Sequence, residues 1–199
     1  MVLRIPKIAF DIDDVVFKSF NLIANKLLYK YNLTVEEPPT FSLRKYLPSL
    51  NEDQYGEVIN EALSQVDYFE PYPGAISFIK YYHETSKYPI TFITSRNEKM
   101  IPYTHNLLDK WFSSIEYNVF FPHVENVRKP NIISKCCVDM FVEDRFKYCI
   151  EVANGGNCLV LMLDRPWNRN RLDEKSFKIV PVKNWDDIEM IYNSFLYLF

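Results

Sequence analysis

The sequence has few of the side chains that most often bind transition metals or form covalent cross-links. Its three histidines lie far apart in the chain, which does not favour a histidine metal site. Its four cysteines include no Cys-x-x-Cys pair. We therefore interpret them as buried thiols in a reducing compartment, and not as disulfides or zinc ligands. They are Cys136, Cys137, Cys149 and Cys158.

The sequence also lacks a long apolar segment, both near its start and elsewhere. A membrane-spanning helix needs roughly 18 or more apolar residues, and a signal peptide needs an apolar stretch near the amino terminus. We therefore expect a cytoplasmic protein that does not bind membranes. With 23 basic and 26 acidic residues the net charge is −3. This balance does not favour stable binding of nucleic acid, which depends on neutralising phosphates.

Strand-like and helix-like segments alternate along the 199 residues, which suit one domain with an insertion. We predict strands over 5–10, 117–121, 138–142 and 158–163, and another that starts at Ile90 and ends at the hydroxyls of Thr94 and Ser95. The predicted helices cover 17–31, 51–67, 74–84, 97–112, 130–137, 146–154 and 184–198. This alternation is typical of an α/β fold with a mostly parallel sheet covered on both faces. Ligands of such sheets bind outside the carboxyl ends of the strands.

Two carboxylates lie two residues apart at the end of the first predicted strand. Residues i and i+2 of an extended chain point to the same face, so Asp11 and Asp13 would share one small space. Two like charges that close are costly without a cation or a shared proton. An acidic turn after a strand is the alternative interpretation, because aspartate is a common turn residue.

Further polar residues come at the ends of later strands. Thr94 and Ser95 follow the strand that starts at Ile90, and Glu143 and Asp144 follow the strand over 138–142. Lys129 lies between these two strands, directly before Pro130. Proline suits the first position of a helix, so we expect Lys129 at the start of a helix that begins near the same edge of the sheet.

The order of these motifs (strand–Asp-x-Asp, strand–Thr-Ser, Lys, strand–Glu-Asp) resembles the haloacid dehalogenase (HAD) superfamily, whose members are mostly phosphatases. A later string, Leu161 to Asn168, looks like the Asp-Arg-Pro-Trp-Asn signature of the superfamily's 5'(3')-deoxyribonucleotidase branch. The resemblance implies a three-layer Rossmann-like HAD core over 1–16 and 70–199. It also implies a small helical cap over 17–69, inserted after the first strand.

The resemblance also implies a role for each motif residue. Asp11 would be the nucleophile that forms an aspartyl-phosphate, and Asp13 would be the general acid and base, kept protonatable by the neighbouring like charge. Asp11, the backbone carbonyl of Asp13, and Asp144 would hold Mg²⁺, which prefers oxygen ligands. Thr94, Ser95 and Lys129 would bind the substrate phosphate.

The sequence departs from the family pattern at two positions. Asp14 follows the second aspartate, where many relatives have glycine, although other members of the superfamily also carry aspartate there. Glu143 precedes Asp144, where the nucleotidases usually have a second aspartate, which leaves the role of Glu143 open. We interpret the string from Arg165 to Asn168 as structural, with Trp167 packing the loop; assistance to the phosphate by Arg165 is the alternative.

The resemblance favours a Mg²⁺-dependent phosphatase whose substrate is a small phosphate ester. The most specific expectation is a 5'-nucleotidase that acts on ribo- or deoxyribonucleoside monophosphates. One alternative is a phosphatase for other phosphate ends, such as a sugar phosphate or a polynucleotide 3'-phosphate. Another is a catalytically silent HAD module used for binding, although such a module has no need of the complete set of Asp11, Asp13, Lys129 and Asp144.

Overall fold

The fold is built on a sheet of six parallel strands. The computed structural model describes residues 5–31, 49–169 and 177–196. Across the sheet the strands lie in the order β3-β2-β1-β4-β5-β6. Their bounds are Ile8–Phe10 (β1), Ile90–Ile93 (β2), Tyr117–Phe120 (β3), Met140–Glu143 (β4), Leu159–Leu163 (β5) and Ile179–Val182 (β6).

Helices connect the strands and cover both faces of this sheet. Their bounds are Ser19–Tyr31 (α1), Glu52–Leu63 (α2), Ala75–Ser86 (α3), Ile101–Phe112 (α4), Lys129–Lys135 (α5), Phe146–Gly155 (α6) and Trp185–Leu196 (α7). Residues of α3, α4 and α7 pack in one apolar cluster, and residues of α5 and α6 pack in a second. The predicted three-layer α/β fold with a parallel sheet is therefore confirmed.

The central strands divide their side chains between these two clusters. In β4, Met140 and Val142 belong to the cluster with α3, α4 and α7, while Phe141 belongs to the cluster with α5 and α6. In β1, Phe10 belongs to the cluster with α3, α4 and α7, and Ala9 belongs to the cluster with α5 and α6. Successive side chains of a strand point to opposite faces, so a strand covered on both faces must be apolar throughout.

The helices α1 and α2 form a small apolar cluster of their own, in which Phe20 and Leu27 of α1 pack with Val58 of α2. Asn51 caps α2: its side chain accepts a bond from the backbone N–H of Gln54, and the Gln54 side chain accepts one from the backbone N–H of Asn51. These reciprocal bonds satisfy backbone donors that the first turn of a helix leaves without partners.

The chain leaves the core for these helices and returns to it at adjacent points. The backbone N–H of Tyr72 donates to the carbonyl of Val16 at 2.9 Å, and that of Lys18 donates to the carbonyl of Glu70, also at 2.9 Å. These contacts lie at the predicted boundaries of the cap, whose division from the core stays a prediction. None of the described helices is long and apolar enough to cross a membrane.

Two expectations were wrong, and one strand was not predicted. The strand that was not predicted is β6, a four-residue edge strand that contains Pro181. Proline cannot donate to the hydrogen-bond ladder, so it is confined largely to edge strands, where that donor is not needed. The helix predicted over 51–67 ends at Leu63. The expectation that all four cysteines are buried is wrong for Cys137, which is exposed and lies beyond α5 with φ 53°. Cys149 and Cys158 are buried, and all four cysteines are unpaired.

Candidate active site

Three of the predicted site residues directly follow neighbouring strands of the sheet. Phe10, the last residue of β1, pairs with Phe92 of β2 and with Val142 of β4. This register brings the ends of the three strands to one edge, so that Asp11, Thr94 and Asp144 lie close to one another. All three are buried. The prediction that these residues share the carboxyl edge of the sheet is therefore confirmed.

Asp11 contacts Lys129 at the centre of this edge. The Lys129 ammonium group donates to Oδ1 of Asp11 and to Oε2 of Glu143, both at 2.6 Å. Burial raises the pKa of Asp11 to about 7; Lys129 opposes this shift, and the charges of Glu143 and Asp13 add to it. Burial favours loss of the Lys129 proton, but Asp11 and Glu143 hold the pKa of Lys129 above its usual value. Lys129 is therefore a fixed positive charge beside the carboxylate of Asp11.

The position of Lys129 follows from the start of α5. This helix begins at Lys129 with Pro130 in its first turn, as predicted. Lys135, the other lysine of this helix, is exposed at its far end. The helix direction therefore brings only Lys129 to the edge of the sheet where Asp11 lies.

Glu143 links Lys129 to the turn that follows β4. Its second oxygen, Oε1, accepts bonds from the backbone N–H groups of Asp144 at 3.0 Å and Arg145 at 3.1 Å. The longer side chain of glutamate thus contacts both the lysine and the backbone of the turn. In this structure Glu143 holds the lysine and the turn in place.

Asp144 has one carboxylate oxygen with a hydrogen bond and one without. Oδ2 accepts a bond from the indole N–H of Trp167 at 2.7 Å. Oδ1 is buried and has no hydrogen-bond partner among the residues that the structure describes. Burial, together with the charges of Glu143 and Asp14, raises the pKa of Asp144 well above its usual value. A buried carboxylate oxygen without a partner is costly, so it favours either a proton or a cation.

The acidic residues at this edge fit a divalent cation. Carboxylate oxygens of Asp11, Glu143 and Asp144 lie within 4.8 Å of one another. Their all-oxygen chemistry suits a hard ion such as Mg²⁺. Oδ1 of Asp144, which is buried and has no partner within the described part of the chain, is the structural feature that a bound cation would satisfy.

Asp13 is held by Arg96 and not by the acidic residues around it. The guanidinium group of Arg96 donates from Nε to Oδ2 of Asp13 at 2.9 Å and from Nη2 to Oδ1 at 2.8 Å. Ser19 also donates to Oδ1. Burial acts to raise the pKa of Asp13, but Arg96 and Ser19 outweigh it and hold this pKa below its usual value. The expectation that a neighbouring like charge keeps Asp13 protonatable is therefore wrong for this structure.

Asp14 stabilises the turn that carries these two aspartates. Its φ is 59°, a left-handed conformation that aspartate tolerates better than most residues. Its side chain accepts a bond from the backbone N–H of Phe20 at 2.9 Å, and its carbonyl accepts one from Nε of Arg165 at 2.8 Å. Burial raises the pKa of Asp14 to about 8, although the bond from Phe20 opposes the shift.

Thr94 and Ser95 lie in the loop after β2, beside the aspartates. Thr94 is buried, and its hydroxyl accepts a bond from the backbone N–H of Arg96 at 3.3 Å, which leaves the O–H as a donor. Ser95 is half-buried and lines the cavity in front of Asp11 and Asp13. The two hydroxyls thus lie at the same edge as the carboxylates, at different depths.

A cavity of about 260 Å³ lies between this edge and the helices α1 and α2. Its floor includes Asp11, Asp13 and Ser95. Most of its wall is apolar or aromatic, and the rest includes Asn60, Asn97 and Arg145. The apolar part of the wall is formed by Phe20, Ile23, Tyr55, Ile59, Leu63, Met100 and Tyr148. The amide of Asn97 donates to that of Asn60 at 2.8 Å and so joins α2 to the loop after β2.

Two groups contact the site although no contact with the site residues was predicted for them; Trp167 was expected only to pack its loop. One is Arg96, although it directly follows the two predicted hydroxyls. The other is the pair Trp167 and Asn168: Asn168 donates to the backbone carbonyl of Asp144 at 2.7 Å, beside the bond from Trp167 to the Asp144 side chain. Both groups lie in loops that follow strands of this sheet, and that position was the available signal.

Comparison with solved structures identifies the fold. No family model and no curated protein matches the sequence. A HAD family hydrolase from Deinococcus radiodurans, solved with bound phosphate and sodium, matches with a TM-score of 0.69 and 12% identity over 97% of each chain. A predicted phosphatase from Clostridium acetobutylicum matches with a TM-score of 0.63 and 11% identity over 98% of this chain and 99% of the other.

A predicted phosphoglycolate phosphatase from Haemophilus somnus 129pt matches with a TM-score of 0.60 and 16% identity over 96% of this chain and 99% of the other. At these identities the comparison concerns architecture, and each match extends over almost the whole of both chains. The structural neighbours of this chain are HAD-superfamily hydrolases and phosphatases, and the chain has their fold.

Proposed function

We propose that the protein is a Mg²⁺-dependent phosphomonoester hydrolase that acts through an aspartyl-phosphate on Asp11. The observation that carries this proposal is the pairing of Asp11 with Lys129 at 2.6 Å, beside the unpartnered oxygen of Asp144. A phosphate monoester is an anion, so its attack by a carboxylate requires positive charge at the point of contact. The matched structures named as phosphatases support this reaction class.

The reaction divides into two displacements at phosphorus. In the first, a carboxylate oxygen of Asp11 forms a bond to phosphorus while the bond to the ester oxygen breaks, and the leaving oxygen takes a proton from Asp13. In the second, Asp13 takes a proton from a water molecule whose oxygen displaces Asp11, which releases inorganic phosphate and restores both aspartates. Arg96 occupies both oxygens of Asp13 in this structure, so the protonated form requires one of these contacts to loosen.

The cation belongs to the same edge of the sheet. Asp11, the backbone carbonyl of Asp13, and Asp144 are the residues that would hold Mg²⁺. When bound, the ion offsets the charge that opposes attack of one anion on another. Lys129 supplies a second positive charge, and Thr94 and Ser95 supply neutral donors for the phosphate oxygens.

We propose a nucleoside monophosphate as the substrate, bound with its nucleoside under a cap formed by 17–69. The cavity supports this choice, because Phe20 and Tyr55 offer aromatic faces to a base and Asn60 offers an amide for hydrogen bonding. The resemblance of the string ending at Asn168 to the deoxyribonucleotidase signature favours the same substrate. A sugar phosphate or another small phosphate ester is the alternative, and the match to a predicted phosphoglycolate phosphatase favours it.

A substrate panel tests both the proposed reaction and the proposed substrate. Release of inorganic phosphate is measured for nucleoside monophosphates, sugar phosphates and a generic phosphate ester, each with Mg²⁺ and with EDTA. Asp11→Asn is the control, because the amide has the same shape but is not a nucleophile. We expect Mg²⁺-dependent turnover that this variant lacks, and higher kcat/KM for the nucleotides. Turnover by Asp11→Asn equal to that of the parent would contradict the covalent mechanism, and equal rates across the panel would leave a general phosphatase.

The cellular location remains a prediction from the sequence. Four unpaired cysteines support a reducing compartment, and we propose the cytoplasm.

A further inference from the structure

Trp167 contacts both the acidic edge of the sheet and the helix α1. Its indole N–H donates to Oδ2 of Asp144 at 2.7 Å. Its ring lies 5.1 Å from the ring of Phe20, measured between centroids, with the planes inclined at 37°. Because an indole ring is rigid, one orientation of Trp167 serves both contacts. A change at Phe20 that turns the ring would therefore also move its N–H away from Asp144.

The backbone around Trp167 is fixed separately from its ring. The Asn168 amide donates to the carbonyls of Asp144 and Leu163, both at 2.7 Å, and its oxygen accepts a bond from the backbone N–H of Arg165 at 3.0 Å. Asn168 thus holds the loop after β5 against the turn after β4, whatever the orientation of the indole. The bond from Trp167 additionally restricts the rotation of the Asp144 carboxylate.

That rotation decides where the second oxygen of Asp144 points. While Oδ2 is bound to Trp167, Oδ1 is directed toward a buried space in which the described residues offer it no partner. One carboxylate oxygen of Asp11 and one of Glu143 lie within 4.8 Å of a carboxylate oxygen of Asp144. Without the indole bond the carboxylate can rotate, and the oxygen that faces the cation site is no longer fixed.

We infer that Trp167 is a positioning residue that couples the packing of α1 to the cation affinity of Asp144. Phe20 belongs to the small cluster of α1 and α2, where it packs near Leu27 and Val58, and Trp167 packs against the same cluster. When α1 is packed in the position seen here, Phe20 contacts the indole of Trp167 and fixes its orientation. The indole in turn holds the Asp144 carboxylate in its cation-binding orientation. The affinity for the cation therefore depends on the packing of α1, although this helix supplies none of the proposed cation ligands.

This inference rests on the proposed cation site, and its test requires no turnover. Binding of Mg²⁺ to EDTA-stripped protein is measured by isothermal titration calorimetry for the parent, Trp167→Phe, Phe20→Ala and the double variant. Trp167→Phe keeps an aromatic ring and removes the N–H. Val152→Ala, a buried substitution in α6 that belongs to the apolar cluster of α5 and α6 and not to that of Phe20, is the control for a general loss of packing. Circular dichroism confirms that each variant is folded.

We expect Trp167→Phe to bind Mg²⁺ about tenfold more weakly, the size typical of losing a group that orients a metal ligand. Phe20→Ala should weaken binding by roughly threefold in the parent and should have no further effect in the Trp167→Phe background, because the path to Asp144 is already cut. Val152→Ala should bind like the parent.

Three results would overturn the inference. They are parental affinity in Trp167→Phe, an equal effect of Phe20→Ala in both backgrounds, and a matching loss in Val152→Ala. The phosphatase proposal fails separately: a parent that binds Mg²⁺ with this pattern but hydrolyses no phosphate ester refutes the reaction and leaves the coupling intact. Absence of Mg²⁺ binding in the parent refutes both.

Discussion

Arg96 holds Asp13 through both carboxylate oxygens, at 2.8 and 2.9 Å, and the Arg96 side chain is almost completely buried. The planar guanidinium group matches a carboxylate in a way that an ammonium group cannot. A third donor of Arg96, Nη1, contacts the hydroxyl of Thr104 in α4 at 3.2 Å. The acid–base residue of the proposed reaction is thus oriented by the loop after β2 and by α4.

Arg96→Lys tests this orientation. The lysine keeps the positive charge but loses the two parallel bonds, so Asp13 should be less well aligned with the leaving oxygen. We expect kcat to fall by about tenfold or more, within the range of acid–base contributions, and KM to change little. Steady-state kinetics with a phosphate ester measure both. Arg128→Lys, at an exposed position, is the matched control, and a parental kcat in Arg96→Lys would show that the contact has no role in turnover.

Lys129 and Lys135 lie at opposite ends of α5, and only Lys129 contacts Asp11. We expect Lys129→Ala to lose at least about a hundredfold in kcat, the size typical of removing one charge contact to a transition state. Lys135→Ala should keep parental activity because its side chain is exposed at the far end of the helix. Measured rates in the opposite order would mean that the lysine has been assigned wrongly.

Asp144 and Glu143 are adjacent acids with different contacts. Glu143 is occupied by Lys129 and by two backbone N–H groups, whereas Asp144 keeps one oxygen without a partner among the described residues. Asp144→Asn should therefore raise the Mg²⁺ concentration for half-maximal activity by about tenfold or more, and Glu143→Gln should raise it less. A Mg²⁺ titration of activity provides the comparison. The reverse ranking would make Glu143 the cation ligand.

Tyr55 of α2 lines the cavity in front of the aspartates. If a nucleobase stacks there, Tyr55→Ala should lower kcat/KM for nucleoside monophosphates by about fivefold or more, as expected for the loss of one stacking contact. Glycerol phosphate, which has no base, should be hydrolysed at the parental rate. Tyr68→Ala is the control, because Tyr68 is 72% exposed and does not line the cavity. An equal loss for both substrates would exclude recognition of a base by Tyr55.

Asp14 should make the metal-free protein less stable as the pH rises. Its pKa is raised from 3.8 to about 8 by burial, so the folded state keeps a proton that the unfolded chain has lost between these values. The free energy of unfolding contributed by this group is complete below pH 4 and is lost as the pH rises toward 8. Asn should fit the left-handed conformation of Asp14 and accept the bond from Phe20 without titrating.

Urea unfolding in EDTA at pH 5 and pH 8.5 measures this effect for the parent and for Asp14→Asn. Asp14→Asn should change the free energy of unfolding more favourably at pH 8.5 than at pH 5. The difference between the two changes should be at least about 1.4 kcal/mol, the equivalent of one pKa unit. Asp11, whose pKa is also raised, should leave part of the pH dependence in both proteins. Parallel pH profiles for the two proteins would show that Asp14 titrates normally.

The local pattern of the sequence was sufficient to predict the edge of the sheet that carries the site. Asp11 and Asp144 come at the ends of short, largely apolar runs of strand length, and parallel strands bring their carboxyl ends together. Pro130 was sufficient to fix the start of α5 and hence the position of Lys129. These predictions rest on properties of short segments, which the fold preserves.

The contacts of Arg96 and Trp167 could not be predicted in the same way. Each depends on where a side chain from one strand end meets a carboxylate from another, 83 residues away for Arg96 and Asp13 and 23 for Trp167 and Asp144. Asp13 shows the consequence for electrostatics: its acidic neighbours are visible in the sequence, but the arginine that outweighs them becomes its partner only in three dimensions. The edge strand β6 was missed because its short run contains a proline.

The central position of β1 sets a condition on how the chain folds during synthesis. β1 is the earliest of the six strands in the sequence, yet it lies between β2 and β4, whose residues begin at Ile90 and Met140. Chains are synthesised at about 5–20 residues per second, so on the order of ten seconds pass between the synthesis of β1 and that of β4. During that interval the strand has two unpaired edges, so shielding of the nascent amino-terminal third should determine how much protein folds and how much aggregates.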